Sequence, residues 1–126
     1  MNKILLFFIL LFCLPVHADW SKPFIIREND GFKIYFDFNN IATEDGGNKI
    51  LYWMKVNYFS PDKGALSATH FIVINCKRNE YTIDHTSSYS KVDLQGKLLY
   101  QGAPNITLPI EDGTSQAIIK ESWCVL

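Results

Sequence analysis

Cysteine is scarce in this chain, and an excess of charge of either sign is missing. Three cysteines occur in 126 residues, and Cys13 lies inside an N-terminal apolar run, which leaves Cys76 and Cys124 for the rest. Two thiols are too few for a four-ligand zinc site, and their wide separation is not the C-x-x-C spacing of a redox pair. Twelve Lys and Arg against thirteen Asp and Glu give a net charge of −1. One of those cations, Lys3, sits at the very start, so nothing clustered and basic remains to hold nucleic acid or an anionic membrane. After Asp19 no apolar run is long enough to cross a bilayer. No Gly-rich loop precedes a helix to cradle phosphate. Internal repeats and low-complexity tracts are also lacking, which points to one domain.

What the chain does have begins with a short, strongly apolar start. Met1-Asn2-Lys3 is positive, residues 4–14 are unbroken apolar, and Val16 and Ala18 stand at −3 and −1 of a cleavage site before Asp19. That order predicts a secretory signal over residues 1–18 and a mature domain over residues 19–126. As a helix the apolar run reaches only about 16 Å, short of the ~30 Å hydrocarbon core. Phe12, directly before Cys13, is too bulky for a lipid-acylation site, so the protein is read as exported and not a lipoprotein, destined for the periplasm, the cell surface or release. In that oxidising setting Cys76 and Cys124 form one structural disulfide.

The mature part has the grammar of hairpins. Residues 24–28 and 32–36 flank Asn29-Asp30-Gly31, and Asp-Gly between apolar runs is a strong turn signal. Residues 37–48 read as a loop with one helical turn near Asn39-Asn40-Ile41. Strands follow over residues 49–59, 67–76, 80–90 and 97–100, separated by Ser60-Pro61-Asp62-Lys63-Gly64, Lys77-Arg78-Asn79 and Asp93-Leu94-Gln95-Gly96. Near the end, Thr114 or Ser115 can cap a short helix, in which Ile119 and Trp123 make an i, i+4 apolar pair. A helix so short is marginal alone, which gives Cys124 a purpose. The expected fold is α+β: an antiparallel six-stranded β-meander packed by a short C-terminal α-helix, with one disulfide.

Alternation assigns the faces. Ile50, Tyr52, Met54, Val56 and Tyr58 share one side of their strand, and Ala68, His70, Ile72, Ile74 and Cys76 share the side of theirs that should meet the helix. The reverse side carries Leu51, Trp53, Lys55, Asn57 and Phe59, together with Thr69, Phe71, Val73 and Asn75. That is more apolar than a one-sided sheet requires. Either it is a second contact surface, or the sheet curls enough to bury both faces.

Reactive chemistry has little support. Asp84, His85, Ser87 and Ser88 hold the letters of a hydrolase triad, but in a regular strand Asp84 and His85 face opposite ways, and His85 reads as a half-buried strand residue. His70 has no second His or carboxylate at ligand spacing and reads as a hydrogen-bonded structural group. Asp37, in a Tyr-Phe-Asp turn, reads as a cap for a turn N–H. No catalytic residue, metal ligand or cofactor is assigned.

Several short motifs taken in order resemble the surface-adhesin protein E family of small bacterial exported domains. They are Tyr35-Phe36-Asp37 leading to Ile41, Lys49-Ile-Leu-Tyr-Trp53, Ile74-Asn75-Cys76, Tyr81 and Tyr89, Pro109 before the last helix, and terminal Cys124. The resemblance implies a non-enzymatic exported binding module, a surface adhesin contacting host matrix or serum proteins such as vitronectin and laminin. Where that adhesin carries Lys and Arg before the Cys-bearing strand, this chain has Asp62-Lys63-Gly64 and uncharged residues 65–69, a departure that weighs against vitronectin. The alternative is a periplasmic envelope protein such as an inhibitor or stress-related factor. Expected protein contacts are Lys63, Lys77 and Arg78 at hairpin ends, with Trp53, Phe59 and Phe71 on the second face. The same apolar face could instead form a homodimer.

Overall fold

The computed structural model describes Trp20 and residues 31–124. The signal over residues 1–18 and the strand expected over residues 24–28 lie outside these described residues. Seven strands and one helix follow: β1 (Phe32–Phe36), β2 (Ala42–Glu44), β3 (Lys49–Asp62), β4 (Ala65–Asn75), β5 (Glu80–Tyr89), β6 (Leu98–Gly102), β7 (Ile106–Pro109) and α1 (Ser115–Trp123). All strand pairs are antiparallel.

Three long strands, β3, β4 and β5, make the body of the sheet, and each flank is shared by two short strands. On one side β1 pairs with Met54–Tyr58 and β2 with residues 49–51 of β3. On the other, β6 pairs with the late part of β5 and β7 with residues 80–83. The seven described strands are five of the six expected, the one over residues 24–28 lying outside the described residues, and two more. Both additions are short edge segments, β2 inside the presumed loop and β7 inside the Pro-flanked stretch, where too few residues alternate to register as strands. Residues 38–40 do form the helical turn, as a 3-10 turn. Strand β3 runs on through Ser60 and Pro61 to Asp62, although those residues were read as a stop. Its register with β4 shifts between Asn57 and Asp62, the kind of irregularity that accommodates a residue with no N–H to donate.

The core is the sheet face that alternation assigned. Ile34, Phe36, Ile50, Tyr52, Met54, Val56, Ile72 and Ile74 are buried there with Ile110, Ala117 and Ile119. Thr114 caps α1, its hydroxyl accepting from the Ala117 N–H at 3.2 Å. Ile119 is buried, and Trp123 and Cys124 pack onto the same cluster. Cys124 is joined to Cys76, just past the end of β4, with 5.9 Å between Cα atoms. Around that bond, Asn48 holds the β4–β5 turn: its carbonyl accepts from the Cys76 N–H at 2.8 Å and its side chain accepts from the Lys77 N–H at 2.9 Å.

Two buried side-chain oxygens have no partner among the described residues, Asp37 Oδ1 and the Tyr52 hydroxyl. Tyr52 is fully buried, and its hydroxyl meets no donor or acceptor. Desolvation raises its pKa, with Tyr81 adding to the effect, so the phenol stays neutral. An unsatisfied buried hydroxyl is destabilising. Tyr52→Phe is therefore expected to raise stability by about 1 kcal/mol in urea unfolding, while loss of stability would reveal a partner for that hydroxyl.

The disulfide closes a loop with a sequence separation of 48. On the chain-entropy model, losing such a link costs about 4 kcal/mol. Unfolding midpoints of oxidised protein and of the double variant Cys76→Ala, Cys124→Ala should differ by that order. Equal midpoints would show that α1 holds to the sheet without the bond.

Candidate protein-binding face

Among the described residues, one loop and Trp20 cover part of the reverse face of the sheet. Residues 91–96 fold over it and are fixed by side chains of β3 and β4. Asn57 and Asp93 bond reciprocally: Asn57 Nδ2 donates to Asp93 Oδ1 at 2.8 Å, and the Asp93 N–H donates to Asn57 Oδ1 at 2.9 Å. The fully buried Ser67 accepts from the Leu94 N–H at 2.9 Å and donates to the Lys91 carbonyl. This clamp explains two unusual backbones, Asp93 and Leu94 at φ +55° and +62°. Non-glycine residues visit that region at a cost, and persist there where surrounding bonds over-determine them.

Lys55 is drawn under the same loop. Only 8 % exposed, it pairs with Asp93 at 3.2 Å, and its ammonium stands 4.2 Å from the Tyr35 ring centroid and 5.5 Å from that of Trp20. A buried ammonium needs such compensation. Here one carboxylate and two aromatic faces supply it. The Asn57 and Lys55 hydrogen bonds hold the Asp93 carboxyl below its ordinary value.

Beyond the loop the described residues leave a groove. Trp53 and its cross-strand partner Phe71 pack with tilted rings, centroids 5.0 Å apart and planes at 42°, and Trp53 remains 39 % exposed. A groove of about 500 Å³ runs beside them, lined by Trp20, Asp37, Leu51, Trp53, Thr69 and Phe71 among others. Asp37 anchors its floor: the Asp37 N–H donates to the Trp53 carbonyl at 3.3 Å, and Trp20 bridges to Asp37 as an isolated antiparallel pair. The side chain of Asp37 does not cap a backbone N–H, contrary to expectation. Its Oδ2 accepts from Asn40 Nδ2 at 2.8 Å instead, because the 3-10 turn already closes through the Asn40 N–H and the Asp37 carbonyl.

The six expected contact residues do not form one site. Trp53 and Phe71 are adjacent. Phe59, 54 % exposed, lies six positions along β3, some ~20 Å away at ~3.3 Å per residue, with the Lys33 ammonium 5.9 Å from its ring. Lys63 lies in the β3–β4 turn, whereas Lys77 and Arg78 lie in the β4–β5 turn at the other end of the sheet. Trp20 in the groove, and Lys55, Asn57, Ser67 and Asp93 in the loop clamp beside it, carry no local mark of function in the sequence. Asp37, also in the groove lining, had been singled out for a different task.

Two further expectations need correction. Asp84 and His85 do not face apart: His85 Nδ1 lies 2.8 Å from Asp84 Oδ2. The cause is a bulge, since Phe71 pairs with His85 but Ile72 pairs with Ile83, leaving Asp84 as an extra residue. His85 is also exposed rather than half-buried. His70, on the core face, does have the partner expected of a structural histidine, Thr86 Oγ1 at 2.9 Å, and burial lowers its pKa. Among the described residues, no group of three or more His, Cys, Asp or Glu side chains is placed to hold a metal ion.

Among the described residues, a small antiparallel sheet with one helix stapled over one face and an aromatic groove on the other defines a disulfide-tied α+β domain. The surface-adhesin protein E model matches residues 20–125, and the chain belongs to that family. Solved structures of Haemophilus influenzae protein E share the fold. One is 20% identical, covers 89% of this chain and 91% of its own, and superposes with a TM-score of 0.55. A second, from non-typeable Haemophilus influenzae, is 20% identical over 88% of this chain and 78% of its own, with a TM-score of 0.53. No curated protein matches the sequence. No helix among the described residues is long and apolar enough to cross a membrane.

The two groups shifted downward, His70 and Asp93, set the acid response. Both pKa values are lower in the folded state, so folding is favoured above each ordinary value and weakened as pH falls below it. His70 should weaken the fold below about pH 6.5, and Asp93 below about pH 3.8. Unfolding midpoints measured against pH should lose the upper step in His70→Gln and the lower one in Asp93→Asn. An unchanged profile in both variants would contradict this assignment.

Proposed function

We propose that the mature domain is a non-enzymatic binding module that works outside the cytoplasm as a surface adhesin and holds a protein partner on the reverse face of its sheet. The observation that carries this reading is the partly exposed Trp53–Phe71 pair beside its groove. Aromatic side chains in a concave patch are the usual anchors of protein interfaces. A monomer leaving a Trp so exposed over a rigid sheet is spending stability for something other than folding. Membership of the adhesin family supports the same conclusion, and the domain runs from about residue 19 to the end of the chain after a signal over residues 1–18.

In this reading Trp53 and Phe71 form the centre of the contact. Phe59 with Lys33 extends it along β3, and Lys63 marks one rim. Lys77 and Arg78, at the opposite turn, would serve a partner large enough to span the length of β4, about 36 Å at ~3.3 Å per residue. Host matrix or serum proteins are the partner class proposed. Attachment to the outer surface, without lipid on Cys13, is part of the proposal.

Trp53→Ala should reduce binding to immobilised matrix proteins by tenfold or more, about 1.4 kcal/mol or above, with the unfolding midpoint shifted by less than that. Protease added to intact cells should remove the protein. Full protection from protease, with no matrix binding by purified protein, would favour a resident periplasmic factor. Sedimentation of wild type and Trp53→Ala tests the remaining option: a dimer lost in the variant would assign the face to self-association.

A further inference from the structure

The helix-side face of the sheet continues past α1 toward the β3–β4 turn, and there its residues change character. Under the helix the strands carry Ile50, Tyr52, Ile72 and Ile74. Beyond it, Ala68 stands opposite Ser88 and Ser88 opposite Tyr100, and in the next row His70 stands opposite Thr86 and Thr86 opposite Gly102. Small side chains where large ones would continue the core leave a pocket of about 370 Å³, with Tyr58 of β3 and Tyr100 of β6 at its sides and Asp62 and Lys63 at the turn. No residue of α1 lines it. Strands β3 and β6 are three spacings apart, ~14 Å, which suits a small molecule rather than a protein segment.

Tyr100 owes its position to a glycine. A Cβ built on Gly102 would stand 2.5 Å from the Tyr100 hydroxyl oxygen and 2.9 Å from the ring carbon that bears it. The phenol therefore lies over Gly102, where any side chain would push it away, yet Tyr100 stays 49 % exposed. His70 is held by Thr86 Oγ1, 2.9 Å from its Nδ1, and burial keeps the imidazole neutral. Burial and then the Asp62 charge raise the pKa of Tyr58, so that phenol stays protonated.

The two charges of the lining, Asp62 and Lys63, are exposed and opposite in sign. Together they give the pocket no net charge with which to select an ion. An apolar ligand would strip water from both charges and from the Ser88 hydroxyl without replacing it. A ligand rich in hydroxyls meets all three: it donates to the Asp62 carboxylate, accepts from the Lys63 ammonium and does either with Ser88. The electron-rich face of an accessible phenol attracts weakly positive C–H groups. Hydroxyls around the rim of a ring that also has a C–H face are the chemistry of a carbohydrate.

We infer that the pocket between Tyr58 and Tyr100 binds a neutral pyranose sugar, with its C–H face on the Tyr100 phenol and its hydroxyls on Asp62, Lys63 and Ser88. The site lies on the face opposite the Trp53–Phe71 groove and stands whatever that groove holds.

The probes are the methyl glycosides of glucose, galactose, mannose and N-acetylglucosamine, each titrated into the mature protein while backbone amides are followed by NMR. At least one should give saturable shifts at residues 86–88 and 99–102, with the weak, millimolar affinity of a ligand making few contacts. Tyr100→Ala, at an exposed position, should weaken that sugar about fivefold or more and leave the unfolding midpoint near that of wild type. Gly102→Ala should weaken it similarly by moving the phenol, and should add nothing in the Tyr100→Ala background. Asp62→Ala should weaken it through the lost acceptor. No saturable shift with any of these glycosides, shifts confined to the Trp53–Phe71 face, or equal affinity in wild type and Tyr100→Ala would each overturn the inference. Tighter binding of anionic glucuronate or cationic glucosamine than of the neutral glucoside would do so as well.

Discussion

The structure depends on how little helix is available to cover so much sheet. Nine residues of α1 span about 14 Å, while the fourteen residues of β3 extend to roughly 45 Å. A helix of that length has no independent stability in water. Its apolar contacts, Ala117, Ile119 and Trp123, must be delivered to the sheet at the right place. The Cys76–Cys124 bond does this by tying the helix end to the end of β4, where Ile72 and Ile74 complete the core. Every other feature is arranged around that limited cover.

One helix can protect only one face. The second face is handled locally instead, by a loop that lies across Lys55, Asn57 and Ser67 and is clamped through backbone and side-chain bonds. Those bonds hold two residues in left-handed conformations, a cost offset by burying a paired ammonium and a satisfied serine. The loop ends before Trp53 and Phe71. Among the described residues, the groove is thus what remains when one face is closed by a helix and part of the other by a turn.

Much of this was legible in the residue order because it follows short-range periodicity. The i, i+2 alternation of Ile50, Tyr52, Met54 and Val56, and of Ile72 and Ile74, identified the core face, since a strand exposes successive side chains to opposite sides. Thr114 and the Ile119–Trp123 pair located the helix, and cysteine count located its staple. What could not be read depended on contacts across long separations. Asn57 and Asp93 are 36 positions apart, and Ser67 and Leu94 are 27 apart. Nothing in their local sequence marks them as partners. The bulge at Asp84 was hidden for the same reason: it is a mismatch in count between β4 and β5, visible only once the strands are paired. Phe59, Lys63, Lys77 and Arg78 were named for residue type and turn position, and residue type says nothing about whether side chains converge.

The same distinction explains what a 20% identity to Haemophilus influenzae protein E carries across. A core face needs apolar residues of suitable volume at alternate positions, and many substitutions satisfy that. The scaffold can therefore persist while most residues change. The reverse face has no such latitude, because its groove exists through individual residues in individual places: Asp37 between two tryptophans, Asn57 opposite Asp93, Lys55 beneath the loop. Changing any of these alters the shape or charge of the groove without disturbing the sheet. Fold likeness at this distance thus transmits the platform and leaves the ligand to be decided by the reverse face of each chain.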